Sequence, residues 1–198
     1  MKRSRKGQAL PPGVAQMVQH VVSDASWSDL TLPPAQHEAL LAIALRAQRA
    51  APAAEPRALS GRAPAPNGTT VLFAGSDSTG MATAAAVIAN ELDVDLCRVD
   101  LSQVVSKYIG ETEKNLDRLF DAAKKAGVVL FFDEADALFG KRTDVKDSHD
   151  RFANIEINYL LERLEAFSGI AILATNRKAA LDDAFLRRIR YVVDLPKE

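Results

Sequence analysis

Three short stretches of this 198-residue chain carry residue types suited to chemistry, and each follows an apolar run. The first is Gly75-Ser76-Asp77-Ser78-Thr79-Gly80-Met81-Ala82, a Gly-x-x-x-x-Gly frame after Thr70–Ala74. Between a strand and a helix, such a frame curls backbone N–H groups around phosphate oxygens, with the positive end of the helix dipole behind them. The second is Asp133-Glu134, after Val128–Phe132. Adjacent carboxylates at the end of a buried strand are unfavourable unless they are used. An aspartate there can hold Mg²⁺ directly or through water, and a glutamate can polarise an attacking water. Asp136 and Arg142 follow as candidate supporting groups. The third is Thr175-Asn176, after Ile170–Ala174, where an amide can orient a water. Taken singly, each has an ordinary alternative. The glycine frame fits a plain strand–helix turn, the two acids can cap the next turn, and asparagine is a common turn residue. Taken together at successive strand ends, they describe a phosphate site.

The frame departs from the full phosphate-binding motif, which continues with lysine and then serine or threonine. Met81 and Ala82 stand in those places. The lysine would donate charge-assisted hydrogen bonds to the phosphates, each worth about 1.5–3 kcal/mol, so losing one weakens binding roughly 10- to 150-fold. A backbone cradle does not depend on those side chains, so binding is expected to be weakened and not abolished. Hydrolysis should suffer more, because phosphoryl transfer relies on positioning and electrostatic stabilisation. Ala82 also lacks the hydroxyl that ligates Mg²⁺. Met81 is free to pack on the first helix instead.

These stretches need a scaffold. From Thr69 onward apolar runs alternate with helical segments. The runs are Thr70–Ala74, Leu96–Leu101, Val128–Phe132, Ile170–Ala174 and Tyr191–Leu195, with helices expected over about Ala82–Leu92, Thr112–Ala126, His149–Phe167 and Lys178–Arg188. Continuous apolar strands are buried on both faces. With the alternating order this predicts an α/β fold, a three-layer sandwich of a mostly parallel five-stranded sheet covered by helices. Ligands of such sheets bind at the carboxyl ends of the strands, where all three stretches fall. Upstream, residues 1–25 read as a basic tail and a short amphipathic piece, Val14–Val22. Residues 26–67 read as a helix beginning near Pro33-Pro34, then an Ala/Pro-rich linker. Residues 68–198 form the α/β core.

Bulk composition narrows the function classes. The net charge is −1, with 47% hydrophobic and 26% charged residues, so no whole-protein field draws the chain to nucleic acid or a membrane. The basic start (Lys2, Arg3, Arg5, Lys6) reads as a solvated tail. The single cysteine, Cys97, rules out an intramolecular disulfide and fits a reducing cytoplasm. No apolar run approaches a membrane span.

The segment VVLFFDEAD, the ATN strand end and the terminal cluster FLRRIR occur in the order typical of the AAA family, and the chain resembles that family from about Trp27 to Leu195. The stretches VVSKYIGETEKNLDRLF and DEADALFGKRTDVKDSHDR make the likeness nearest to bacterial AAA ATPases found with contractile injection systems, and more distant to katanin, spastin and proteasomal ATPases. The resemblance implies a P-loop NTPase using ATP and Mg²⁺, in a homo- or hetero-oligomeric ring that acts on a protein substrate. By it, Asp133 coordinates Mg²⁺, Glu134 is the catalytic base and Asn176 the first sensor. Arg187 and Arg188, or Arg190, reach a neighbouring subunit's nucleotide; their spacing is one residue shorter than the common form, which leaves the choice among them open. Lys107-Tyr108-Ile109 matches the first pore loop, and an ordinary loop tyrosine is the alternative there. Leu30 and Leu32 match the strip near the adenine. On the same resemblance the chain, ending at Glu198, is expected to lack the helical lid with its second sensor arginine.

Three readings follow. One is a ring-forming remodeller with impaired hydrolysis, for which Asp133, Glu134 and Asn176 speak. Another is a pseudo-ATPase that binds nucleotide weakly and works through a partner ring, for which Met81 and Ala82 speak. The last is an interaction domain that binds no nucleotide.

Overall fold

The structure, a computed structural model, describes residues 10–50, 68–106, 108, 110–136 and 148–196, with side chains described from Ile157 onward in the last of these. The basic residues of the N-terminus, the linker 51–67, Lys107, Ile109 and Arg142 lie outside the described residues.

The sheet comprises β1 (Val18–Val21), β2 (Thr69–Ala74), β3 (Leu96–Val99), β4 (Val129–Phe132), β5 (Ile170–Thr175) and β6 (Tyr191–Asp194) in the order β1-β3-β4-β5-β2-β6. The expected strands are all present, and β3, β4, β5, β2 and β6 run parallel. A sixth strand, β1, pairs antiparallel with β3. It comes from the stretch read only as amphipathic. An edge strand with one covered face needs little apolar sequence, and β1 buries Val18 while Gln19 and His20 face out.

Side chains alternate across the sheet, as the pleat requires. Leu72, Leu130, Phe132, Ala171 and Leu173 join one core layer. Val71, Phe73, Val129, Phe131, Ile172 and Ala174 join the other. The first face is covered by α1 (Pro12–Ala15), α5 (Glu111–Ala126) and α6 (Ser148–Ala166). Within α5, Leu116, Leu119, Phe120 and Ala123 recur at helical spacing and are buried. Phe120 stacks on Phe132 at 6.2 Å between centroids and meets Phe167 edge-on at 5.2 Å. Glu111 and Glu113 open the helix, Lys124 and Lys125 close it, and Gly127 ends it at φ 67°; each suits the helix dipole or the left-handed cap.

The second face is covered by α2 (Pro34–Ala50) and α3 (Ser78–Glu91). Ala84, Ala85, Ala86 and Ala89 keep α3 helical and let it approach the sheet closely. The segment before α2 is tied to the far end of α3. Asn90 donates to the carbonyls of Ser23 and Ala25, and Trp27 Nε1 donates to Glu91 at 2.9 Å. Leu30 and Leu32 pack into this same layer.

Two local differences matter. The first core helix starts at Ser78, ahead of the expected Ala82. The helix expected over Lys178–Arg188 is instead a 3-10 turn, Lys178–Ala180, followed by α7 (Asp183–Leu186). Leu181 plunges into the core between them, and Asp182 caps α7 by accepting from the Ala184 N–H at 2.6 Å. Between β3 and α5 lies α4 (Leu101–Val104). Among the described residues no helix is long and apolar enough to cross a membrane.

Candidate functional site

Strands β4, β5 and β2 are neighbours and parallel, with Phe132 beside Leu173 and Thr175 beside Ala74. Their carboxyl ends therefore deliver Asp133-Glu134, Asn176 and the turn after Ala74 to one edge of the sheet. The Gly75 N–H donates to the Thr175 carbonyl at 3.1 Å, so the turn starts directly beside the amide. Gly75 is required there, because a Cβ would lie 2.3 Å from the Leu195 carbonyl oxygen.

The turn itself is short. Only Gly75, Ser76 and Asp77 separate β2 from α3, and Asp77 is the N-cap. Its carboxylate accepts from the Thr79 N–H at 3.0 Å, and its carbonyl accepts from the Met81 N–H at 3.1 Å. No residue from 75 to 82 takes a positive φ, whereas a concave anion nest needs left-handed residues to turn successive N–H groups inward. Ser78, Thr79, Gly80, Met81 and Ala82 all lie within the helix. Met81 is 1% exposed and belongs to the layer between α3 and the sheet, the packing its sequence position allowed.

Both oxygens of Asp133 are engaged. Oδ2 accepts from Arg98 Nη2 at 2.7 Å, and Oδ1 accepts from the Glu134 N–H at 2.9 Å. Glu134 is exposed and sits at φ 54°, a left-handed conformation that stores strain and often accompanies function. A cavity of about 500 Å³ opens here, lined by Gln16, Gln19, Arg98, Asp100, Ser102 and both acids. Its lining includes neither the 75–82 turn nor Asn176, which is exposed. Another cavity, about 440 Å³, lies at the opposite sheet edge around Thr69, Val128 and Ile170, away from this chemistry.

Asp136 acts as a clamp. It accepts from Thr175 Oγ1 at 2.7 Å and from Arg177 Nε at 2.9 Å, with its side chain 7% exposed. Burial pushes its carboxyl up, but the hydrogen bonds from Thr175, Arg177 and the backbone, with the Arg177 charge, together hold it below its ordinary 3.8. A carboxyl lowered on folding stabilises fully above its unfolded value, near 4, and loses that contribution as pH falls through the folded value. Asp136→Ala leaves the buried Thr175 hydroxyl proton without its acceptor, while the Arg177 N–H still donates to Oγ1 at 3.0 Å, and is expected to cost about 1–3 kcal/mol in urea unfolding at pH 7. The difference should shrink as the pH is taken below about 4.

The remaining sequence candidates spread out. Arg187, Arg188 and Arg190 are exposed. Arg188 Nε lies 3.5 Å from Glu165, and Arg190 donates to the Gly68 carbonyl at 2.9 Å. Arg187 has no side-chain partner among the described residues. Tyr108 is 60% exposed and precedes Gly110, whose φ of 76° starts α5. Cys97 is buried, which, with Asp95 nearby, pushes its thiol up to about 11 and removes it as a nucleophile. Sequence reasoning missed Arg98 and Arg177. A charge inside the apolar run Leu96–Leu101 was the available signal for Arg98. Arg177 carried none.

The sheet order, the helices on both faces and the chemistry gathered at the carboxyl edge are those of a P-loop NTPase fold. The pattern of the ATPase family associated with various cellular activities (AAA) matches residues 71–197, and the chain belongs to that family. It is 32% identical to the uncharacterized AAA family ATPase y4kL of Sinorhizobium fredii, over 92% of this chain and 53% of that protein. It is 37% identical to cell division protein C of Sulfolobus acidocaldarius, over 64% of this chain and 37% of that protein. Proteasome-activating nucleotidase 2 of Haloferax volcanii is 37% identical over 64% of this chain and 32% of its own length. The chain thus spans about half or less of these relatives. The FIGL-1 AAA domain shares the fold at a TM-score of 0.66 and 23% identity, covering 98% of this chain and 64% of that one. A chain of the HORMA:CdnC:Trip13 complex of E. coli MS115-1 does so at 0.66 and 20%, covering 96% and 73%.

The family uses nucleotide and Mg²⁺. The groups present here do not fit a Mg-triphosphate as they are arranged. The helix end is capped by a carboxylate, the lysine position is a buried methionine, and Asp133 already holds a guanidinium.

Proposed function

We propose that this chain is an AAA-type subunit of an oligomeric assembly that remodels proteins or protein complexes, binding nucleotide weakly and hydrolysing it poorly. The observation that carries this reading is the closed phosphate turn, with α3 beginning at Ser78 and Met81 buried beneath it. In the assembly, Arg187 is the arginine offered to a neighbouring subunit, because Arg188 and Arg190 have partners of their own. Tyr108 is offered to an extended polypeptide in the ring's centre. On the resemblance of the stretch VVSKYIGETEKNLDRLF to ATPases found with contractile injection systems, the target is a large protein assembly. A second reading, a regulatory subunit that leaves hydrolysis to partner subunits, is favoured by the engagement of both Asp133 oxygens.

Calorimetric titration with ATP tests the reading. The unaltered chain should bind roughly 10- to 150-fold more weakly than Met81→Lys/Ala82→Thr, the difference a restored lysine supplies. Equal affinity of the two would overturn it.

A further inference from the structure

We infer that Asp77 is a built-in anion that occupies the phosphate position at the start of α3, so that nucleotide must displace it in order to bind. This inference rests on the reading above and assigns the closed state of that site to one residue.

Two contacts place the carboxylate there, and a third feature leaves its charge unpaired. Asp77 is the N-cap, and its side chain takes the Thr79 N–H, one of the donors a phosphate oxygen would take. The helix dipole favours one negative group at that end, and it already has one. Next, Gly80 is the point at which the carboxylate folds over the helix: a Cβ on it would lie 2.8 Å from Asp77 Oδ2. In this chain the second glycine of the frame therefore makes room for a side chain of the chain itself. Finally, the Met81 N–H is spent on the Asp77 carbonyl, and no cation among the described residues pairs with the Asp77 carboxylate. Apart from the partial charge of the helix end, which the carboxylate already uses, no cationic side chain among the described residues offsets this negative charge when a phosphate approaches. The repulsion acts on phosphate and not on a nucleoside, so the site discriminates against the charged end of its ligand.

Asp77→Asn separates charge from folding, because asparagine caps helices as well as aspartate does. The full-length chain and its Asp77→Asn, Met81→Lys/Ala82→Thr and triple variants would be titrated calorimetrically with ATP and with adenosine, with thermal melts confirming folding. Removing one like charge beside the phosphates should tighten ATP binding about tenfold in both backgrounds and leave adenosine affinity unchanged. If Met81→Lys/Ala82→Thr binds ATP and Asp77→Asn adds nothing to it, the assignment of Asp77 is overturned while the proposed function stands. Equal tightening for adenosine also overturns it, since the effect would then not be electrostatic. Should Met81→Lys/Ala82→Thr fail to bind better than the unaltered chain, the proposed function falls and the role of Asp77 falls with it.

Discussion

Met81→Lys with Ala82→Thr is expected to raise the steady-state rate of phosphate release by about 10²–10³-fold, the scale on which a single preorganised charge-stabilising donor acts. The geometry of the unaltered chain makes this more than the addition of a charge. Met81 lies at 1% exposure in the layer between α3 and the sheet. A lysine there must either lose its charge or leave the core, because an unpaired buried ammonium is far less stable than a hydrated one. A lysine leaving the core is expected to unwind the first turn of α3, between Asp77 and Met81. That frees the N–H groups of Thr79 and Met81, which the Asp77 side chain and carbonyl now hold. The substitution therefore reopens the cradle and arms it together. The same loss of methionine packing should lower stability in the absence of nucleotide, and ATP should restore it. A coupled assay of phosphate release and thermal melts with and without ATP check both halves. A folded variant that binds ATP and still turns over at the unaltered rate would contradict this account of the turn.

Arg187→Ala in that reactivated background is expected to lower turnover by about 10³-fold or more, as removal of an arginine that stabilises transferring phosphate does. The effect should appear only in the assembly. Arg187 is solvent-exposed at the end of α7, and a planar guanidinium there presents its fork to whatever docks on that face. Arg190→Ala provides the contrast. It removes the bond to the Gly68 carbonyl and should affect stability more than rate. Mixing Arg187→Ala subunits with Glu134→Gln subunits in the Met81→Lys/Ala82→Thr background should recover part of the turnover, because an intact arginine then faces an intact acid across some interfaces. No recovery, with native mass spectrometry showing mixed oligomers, would remove Arg187 from this role.

Much of the scaffold was legible in the sequence because buried parallel strands leave long apolar runs. Val129–Phe132 and Ile170–Thr175 are buried on both faces and differ from their expected bounds by one residue. The edge strand β1 was not legible as a strand, since one covered face demands only Val18 and a partly covered Val21. That the site segments share one sheet edge was legible too, because each follows the carboxyl end of an expected parallel strand; their order along it, after β4, β5 and β2, was not. The state of the turn was not. The Gly-x-x-x-x-Gly spacing is equally compatible with a loop and with a helix begun early. What decides is Asp77, a strong cap placed three residues before Gly80 and read in the sequence only as a variable position of the frame. The Arg98–Asp133 pair escaped for a related reason. It depends on β3 and β4 being neighbours with Arg98 beside Phe131, a register no local pattern encodes.

In the proposed reading the chain's own charges fill the two places a Mg-nucleotide needs: Asp77 at the start of α3 and Arg98 on Asp133. Titration of the unaltered chain with ATP, in the presence and absence of Mg²⁺, tests it most directly. Weak binding that Mg²⁺ leaves essentially unchanged is the predicted result, since Arg98 and the Glu134 N–H compete with the metal for the Asp133 oxygens. Tight binding that depends on Mg²⁺ would contradict it, because an open phosphate cradle and a free Asp133 carboxylate would then be required.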